Sequence, residues 1–154
     1  QDADTIGAAS DTATGSFAAL FGITSNMGAD DDGSVSPLSY SLSVTTAATG
    51  LTSDGLAISV AKVGNDLVGS TSAAPIFTIS VNAATGQVTL TQFAEIDHLP
   101  EDVDGVNDNN SLGLAAGNII LTASASIVDG DNDGASDSAQ RDIRAASFIG
   151  MRLW

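Results

Sequence analysis

Ile76-Phe77-Thr78-Ile79-Ser80-Val81-Asn82-Ala83-Ala84-Thr85-Gly86-Gln87-Val88-Thr89-Leu90 alternates apolar and polar residues on either side of a five-residue link, and this pattern decides the fold class. A strand turns successive side chains to opposite faces, so a period of two marks a strand with one buried face. The spacing predicts strands over 76–81 and 87–91, with Phe77, Ile79 and Val81 facing a core opposite Val88 and Leu90. Gly86 closes the link, where a left-handed residue lets the chain reverse.

The same period recurs outward from this hairpin. Leu38 to Val44 and Leu56 to Val63 both alternate. The longest run, Asn118 to Val128, places Ile119, Leu121, Ala123, Ala125 and Ile127 on one face, and a return strand is expected from about Gln140 to Ile149. Ser and Thr fill most outward positions, which suits strands better than helices. Ser16 to Phe21 and Leu112 to Ala116 are the candidates for one or two short helices. The expected fold is all-β: a single domain over 1–154, an antiparallel β-sandwich with long acidic loops, held by calcium.

Charge supplies the reason for calcium. The chain has 19 acidic and four basic residues, a formal charge of −15. The acids cluster at Asp2, Asp4 and Asp11; at Asp30, Asp31 and Asp32; between Glu95 and Asp108; and between Asp129 and Asp142. Crowded like charges destabilise a fold unless cations neutralise them. An acidic run is often disordered, but 43% of these residues are hydrophobic and the segments between clusters alternate. Several bound calcium ions are therefore expected.

Asp129-Gly130-Asp131-Asn132-Asp133-Gly134-Ala135-Ser136-Asp137 is the clearest candidate. Ca²⁺ takes about six to eight oxygens, which alternate carboxylates on a curled loop can supply. Counted from Asp129, residues Asp131, Asp133 and Asp137 fall at positions 3, 5 and 9, with Gly134 at the expected sharp turn. Position 12 is Gln140 rather than a bidentate Glu, and no helix pattern flanks the loop, so an EF-hand is excluded. The alternative is a polar hairpin turn built from Asp and Gly. Asp30, Asp31 and Asp32 enter the strand that begins near Leu38; one or two of them are expected to bind calcium, with Asp2, Asp4 or the Asp129 loop as partners.

Glu95 to Asn110 is richer still, with six carboxylates and three Asn side chains and little periodicity. Long irregular loops in compact domains often carry function. Glu101, Asp102, Asp104, Asn107, Asp108 and Asn110 are oxygen donors that can converge on one or two ions. An ion whose shell the protein leaves incomplete can take a ligand's carboxylate or hydroxyl; the alternative is an ion that only pins the loop.

Other chemistries find little support. His98 is the only histidine and lies near Pro100, which fits a loop residue better than a catalyst or zinc ligand. The carboxylates fall at calcium spacing rather than in an apolar pocket suited to glycoside hydrolysis. No enzyme activity is expected. The basic residues near the C-terminus, Arg141, Arg144 and Arg152, pair with local carboxylates or, alternatively, clamp a ligand carboxylate. There is no basic patch for nucleic acid, no membrane-length apolar run, no cysteine and no charged-then-apolar leader. The abrupt ends at Gln1 and Trp154 suggest a piece of a longer polypeptide. Neither the calcium β-roll nonapeptide nor a regular Thr-x-Thr repeat is present.

Tyr40 to Val44, then Ile76 to Leu90, then Ile120 to Ala125 running into Asp129-Gly130-Asp131-Asn132-Asp133-Gly134 resembles the repeat domain, about 143 residues long, of type-I-secreted repeats-in-toxin (RTX) adhesins. The likeness spans about 1–153. It implies a calcium-stabilised β-sandwich in a long bacterial surface protein, exported by type I secretion and located outside the cell. Many such domains are extenders, while related modules bind peptides by holding a terminal carboxylate on a surface calcium. The long acidic stretch before the last strands departs from what an extender needs. The expected function is calcium-dependent adhesion to a peptide or cell-surface protein, through Glu101 to Asn110. The alternatives are a purely structural extender between neighbouring domains and calcium-dependent binding of a glycan.

Overall fold

The computed structural model describes residues 10–25, 33–97 and 113–143. Ten strands run in chain order: β1 (Asp11–Ser16), β2 (Ser34–Val35), β3 (Ser39–Val44), β4 (Ala48–Ser53), β5 (Leu56–Val63), β6 (Asp66–Ser70), β7 (Pro75–Val81), β8 (Gln87–Gln92), β9 (Ile119–Val128) and β10 (Gly134–Asp142). The first sheet has the order β1-β8-β7-β6-β5-β4. In the second, β9 pairs with β10 on one side and with β2 and β3 on the other. Every pairing is antiparallel, and β3 packs across β5, β6 and β7 of the opposite sheet. The chain is an antiparallel β-sandwich. No helix among the described residues is long and apolar enough to cross a membrane.

Alternation explains the core. Phe77, Ile79, Val88, Leu90, Ile58, Val60 and Leu67 from one sheet meet Tyr40, Leu42, Ile119, Leu121 and Ala123 from the other. In the β7–β8 hairpin Ile79 stands opposite Leu90 and Val81 opposite Val88, as the alternation predicts. The Asn82 carboxamide oxygen accepts the N–H groups of Ala84 and Thr85 at 3.0 and 3.2 Å, and Gly86 takes φ +67°. Gly86 is required there twice over: its φ is left-handed, and a Cβ would stand 2.9 Å from the Tyr40 ring. The loop also ties the sheets together, because Tyr40 N–H of the second sheet donates to Ala83 O at 2.9 Å; within the first sheet, Phe17 N–H donates to Gly86 O at 3.2 Å. Phe21 meets Tyr40 edge-on with centroids 5.7 Å apart.

Three expectations change. The return strand begins at Gly134 rather than near Gln140, because the turn after β9 is short and pairing resumes at once. Of the two helix candidates, the first holds a single 3-10 turn at Ala18–Leu20. In the second, the described residues 113–115 are irregular and 116–117 form a turn. Two hairpins passed over in the sequence close on Asp54-Gly55, both at positive φ, and on Gly64-Asn65, with Gly64 at φ +62°. A two-residue loop with these conformations follows the twist of its flanking strands.

Candidate functional site

The β9–β10 turn is built by its own first residue. Asn132 N–H donates to Asp129 O at 3.1 Å, and Asp129 N–H to Asp133 O at 3.0 Å. Asp133 N–H donates to the Asp129 carboxylate at 2.8 Å. The left-handed residue is Asn132, at φ +72°, so the sharp turn expected at Gly134 falls two residues earlier. Asn tolerates this conformation better than most residues with a side chain. The result is a three-residue loop, Gly130-Asp131-Asn132, closing a long hairpin.

The turn brings Asp129 and Asp131 together. A side-chain hydrogen bond with Asp131, aided by the Asp133 N–H, holds the Asp129 carboxyl below its ordinary value of 3.8. Asp137 lies elsewhere: it sits in β10 opposite Ala125, about 13 Å of strand beyond Asp133. Its carboxylate accepts the neighbouring Ser138 N–H at 2.7 Å. Among the described residues no three acidic or histidine side chains converge. Two carboxylates offer at most about four oxygens, so a calcium ion here would draw the rest of its shell from water or other residues.

Asp30, Asp31, Asp32, Asp2, Asp4, Glu101, Asp102, Asp104, Asn107, Asp108 and Asn110 lie outside the described residues, as do His98, Arg144 and Arg152. The point from which the long acidic stretch departs is described, and it is clamped. Asp97 N–H donates to Thr52 O at 2.9 Å, and the Ser53 hydroxyl donates to Glu95 O at 2.6 Å. The two oxygens of Asp97 accept the N–H groups of Asp54 and Gly55, each at 2.9 Å. One carboxylate thus satisfies both donors of the β4–β5 turn. At the far side, Gly117 N–H donates to the Asp142 carboxylate at 2.7 Å.

Two residues here escaped the sequence reading. In the sequence Asp97 is one acid in a run, and its role comes from Asp54-Gly55, a turn whose N–H groups need an acceptor. Asn118 was read as a strand start. Its carboxamide oxygen accepts Thr46 N–H at 3.1 Å, while its Nδ2 is buried without a partner among the described residues. Arg141, the only arginine among the described residues, lies 5.7 Å from the Phe21 ring centroid and donates to Gln140 O at 2.8 Å. Neither role proposed for it from sequence is recorded in these contacts.

Over residues 2–143 the chain matches the family described as a domain of unknown function, DUF5801. No curated protein and no solved structure matches it.

Proposed function

Since the chain belongs to the DUF5801 family over nearly its whole length, we propose that such a domain is a calcium-stabilised β-sandwich module of a long, type-I-secreted bacterial surface adhesin, working outside the cell. The observation that carries this reading is the tip of the β9–β10 hairpin, where the side chains of Asp129 and Asp131 meet. Two carboxylates held together are favoured when a cation lies between them. Calcium suits oxygen donors of this kind, and the sequence resemblance to RTX adhesin repeats points to the same ion.

Adhesion belongs to the acidic stretch in this proposal. Glu101, Asp102, Asp104, Asn107, Asp108 and Asn110 would hold a partly exposed calcium that takes a carboxylate from a peptide or cell-surface protein. The Asp97 clamp supports this, because a binding loop works best when it leaves from a rigid point. An extender needs calcium for stiffness alone, and a glycan would be taken through hydroxyls.

A thermal melt with millimolar calcium and with EDTA tests the first part. Each micromolar site would add about 4 kcal/mol at millimolar calcium, so the melting temperature is expected to fall steeply on chelation. An identical melting temperature in both ends the calcium reading. Alanine replacement of Asp104 and Asp108 then separates ligand capture, which would lose peptide binding at unchanged fold, from extension, which would have no peptide binding to lose.

A further inference from the structure

Among the described residues the outer strands are β1 and β4 in one sheet and β10, β3 and the two-residue β2 in the other. An outer strand presents main-chain N–H and C=O groups that invite another chain to pair unless something blocks them. β2 is too short to template another strand, and β3, β4 and β10 each carry an obstruction. Tyr40 N–H, on β3, is taken by Ala83 O of the opposite sheet at 2.9 Å. The register of β4 breaks between Ala48 and Thr52, with Gly50 at φ +76°. Such a bulge bends an edge away from a straight partner.

On the third, β10, the strand's own side chains close its middle. Asp129 and Asp133, and Ile143 and Ile119, bond in step with the β9–β10 ladder, so even-numbered residues of β10 turn their main-chain groups outward. There the Asp137 carboxylate occupies the Ser138 N–H at 2.7 Å, and Arg141 occupies the Gln140 carbonyl at 2.8 Å.

β1 differs. Phe17 N–H bonds Gly86 O in step with the β1–β8 ladder, so Thr12, Thr14 and Ser16 are the residues that face outward. Asp11 caps the Thr12 N–H at 2.8 Å. Among the described residues nothing closes Thr14 or Ser16. The sheet face next to this edge is uncharged across β8 and β7: the registers set Thr12 and Thr14 beside Thr91 and Thr89 of β8, and these beside Thr78 and Ser80 of β7, and the first acid on that face is Asp66 in β6. On a chain of formal charge −15 this is a face on which two copies can meet without facing like charges.

We propose that β1 is a self-pairing edge, to which a second copy of this chain adds its own β1 in antiparallel register, with Thr14 opposite Thr14 on a two-fold axis. Thr12 then stands opposite Ser16; the Thr14 main-chain groups of the two copies satisfy one another and each Ser16 N–H reaches the Thr12 carbonyl, while the Thr12 N–H stays with Asp11. The Thr- and Ser-lined outer faces of β1, β8 and β7 in the two copies become continuous. Asp11 falls opposite Phe17, so the two Asp11 carboxylates lie about 20 Å apart along the strands, beyond the screening length of about 8–10 Å. The inference is independent of calcium and goes beyond the adhesion reading.

The absence of cysteine makes the test clean. Opposed residues in a hydrogen-bonded antiparallel pair have Cα atoms about 5.5 Å apart, within the disulfide range of about 4.4–6.8 Å. Under mild oxidation Thr14→Cys is expected to cross-link at least tenfold faster than Ser138→Cys on the blocked edge. Thr12→Cys and Ser16→Cys are each expected to cross-link poorly alone but readily when mixed. Equal rates for Thr14→Cys and Ser138→Cys overturn the proposal, and so does mixing that adds nothing. Melting temperatures of the reduced variants near that of the parent establish that the cysteines sit in folded protein.

Discussion

Phe77 closes over Gly69. The two stand opposite each other in the β6–β7 ladder, and a methyl group at Gly69 would lie 2.3 Å from the tip of the Phe77 ring. The largest fully buried side chain among the described residues therefore occupies the space that a side chain at Gly69 would need.

Gly69→Ala is expected to destabilise the fold by about 1–3 kcal/mol through overpacking, and Phe77→Ala by about 3–5 kcal/mol through a cavity. The double variant should be more stable than the sum of the two losses implies, because each removes the other's obstacle. Urea denaturation of the four proteins measures this, and strict additivity would contradict the contact.

Gly86→Ala meets two penalties at one position. A left-handed conformation costs a residue with a Cβ roughly 1–2 kcal/mol, and the added carbon would press on Tyr40. Tyr40→Leu should relieve only the second. If Gly86→Ala in the Tyr40→Leu background costs as much as in the parent, the ring is not the obstacle.

Asp97→Ala should cost about 1–3 kcal/mol, because two turn N–H groups lose their shared acceptor. The loss should be local as well as global. Amide exchange at Asp54 and Gly55 is expected to accelerate more than at Ile79 in the same protein, and equal acceleration would remove the clamp from the account.

Asp129 sets an acid dependence. Its carboxyl is held below 3.8 by Asp131 and by the Asp133 N–H. A carboxyl depressed in the folded state adds stability that is fully present above its unfolded value and lost as pH falls through its folded value. Asp129→Asn should flatten stability against pH below about 4 and leave it unchanged in slope near neutrality. An unchanged acid limb would show that Asp129 contributes nothing to it.

The β7–β8 hairpin was legible because period, facing and turn all lie within fifteen residues, from Ile76 to Leu90. β1 and β10 were hidden or misplaced for the opposite reason. Asp11–Ser16 and Gly134–Asp142 contain no large apolar residue, and ladder bonds to a neighbour rather than burial hold them in the sheet. β4 lacks alternation because its register shifts within the strand. At the hairpin tip, spacing alone located Asp129, Asp131 and Asp133 in one turn. It could not place Asp137, because only the closed three-residue loop sends that residue up the strand.

The loop from Asn82 to Gly86 has a mechanical consequence. β1 lies in one sheet and β10 in the other, so tension applied between them cannot travel along a single ladder. Among the described residues it crosses the sandwich through the core and through the bond that Tyr40 makes to this loop. Under load, five residues between two strands serve as the rivet that joins the plates.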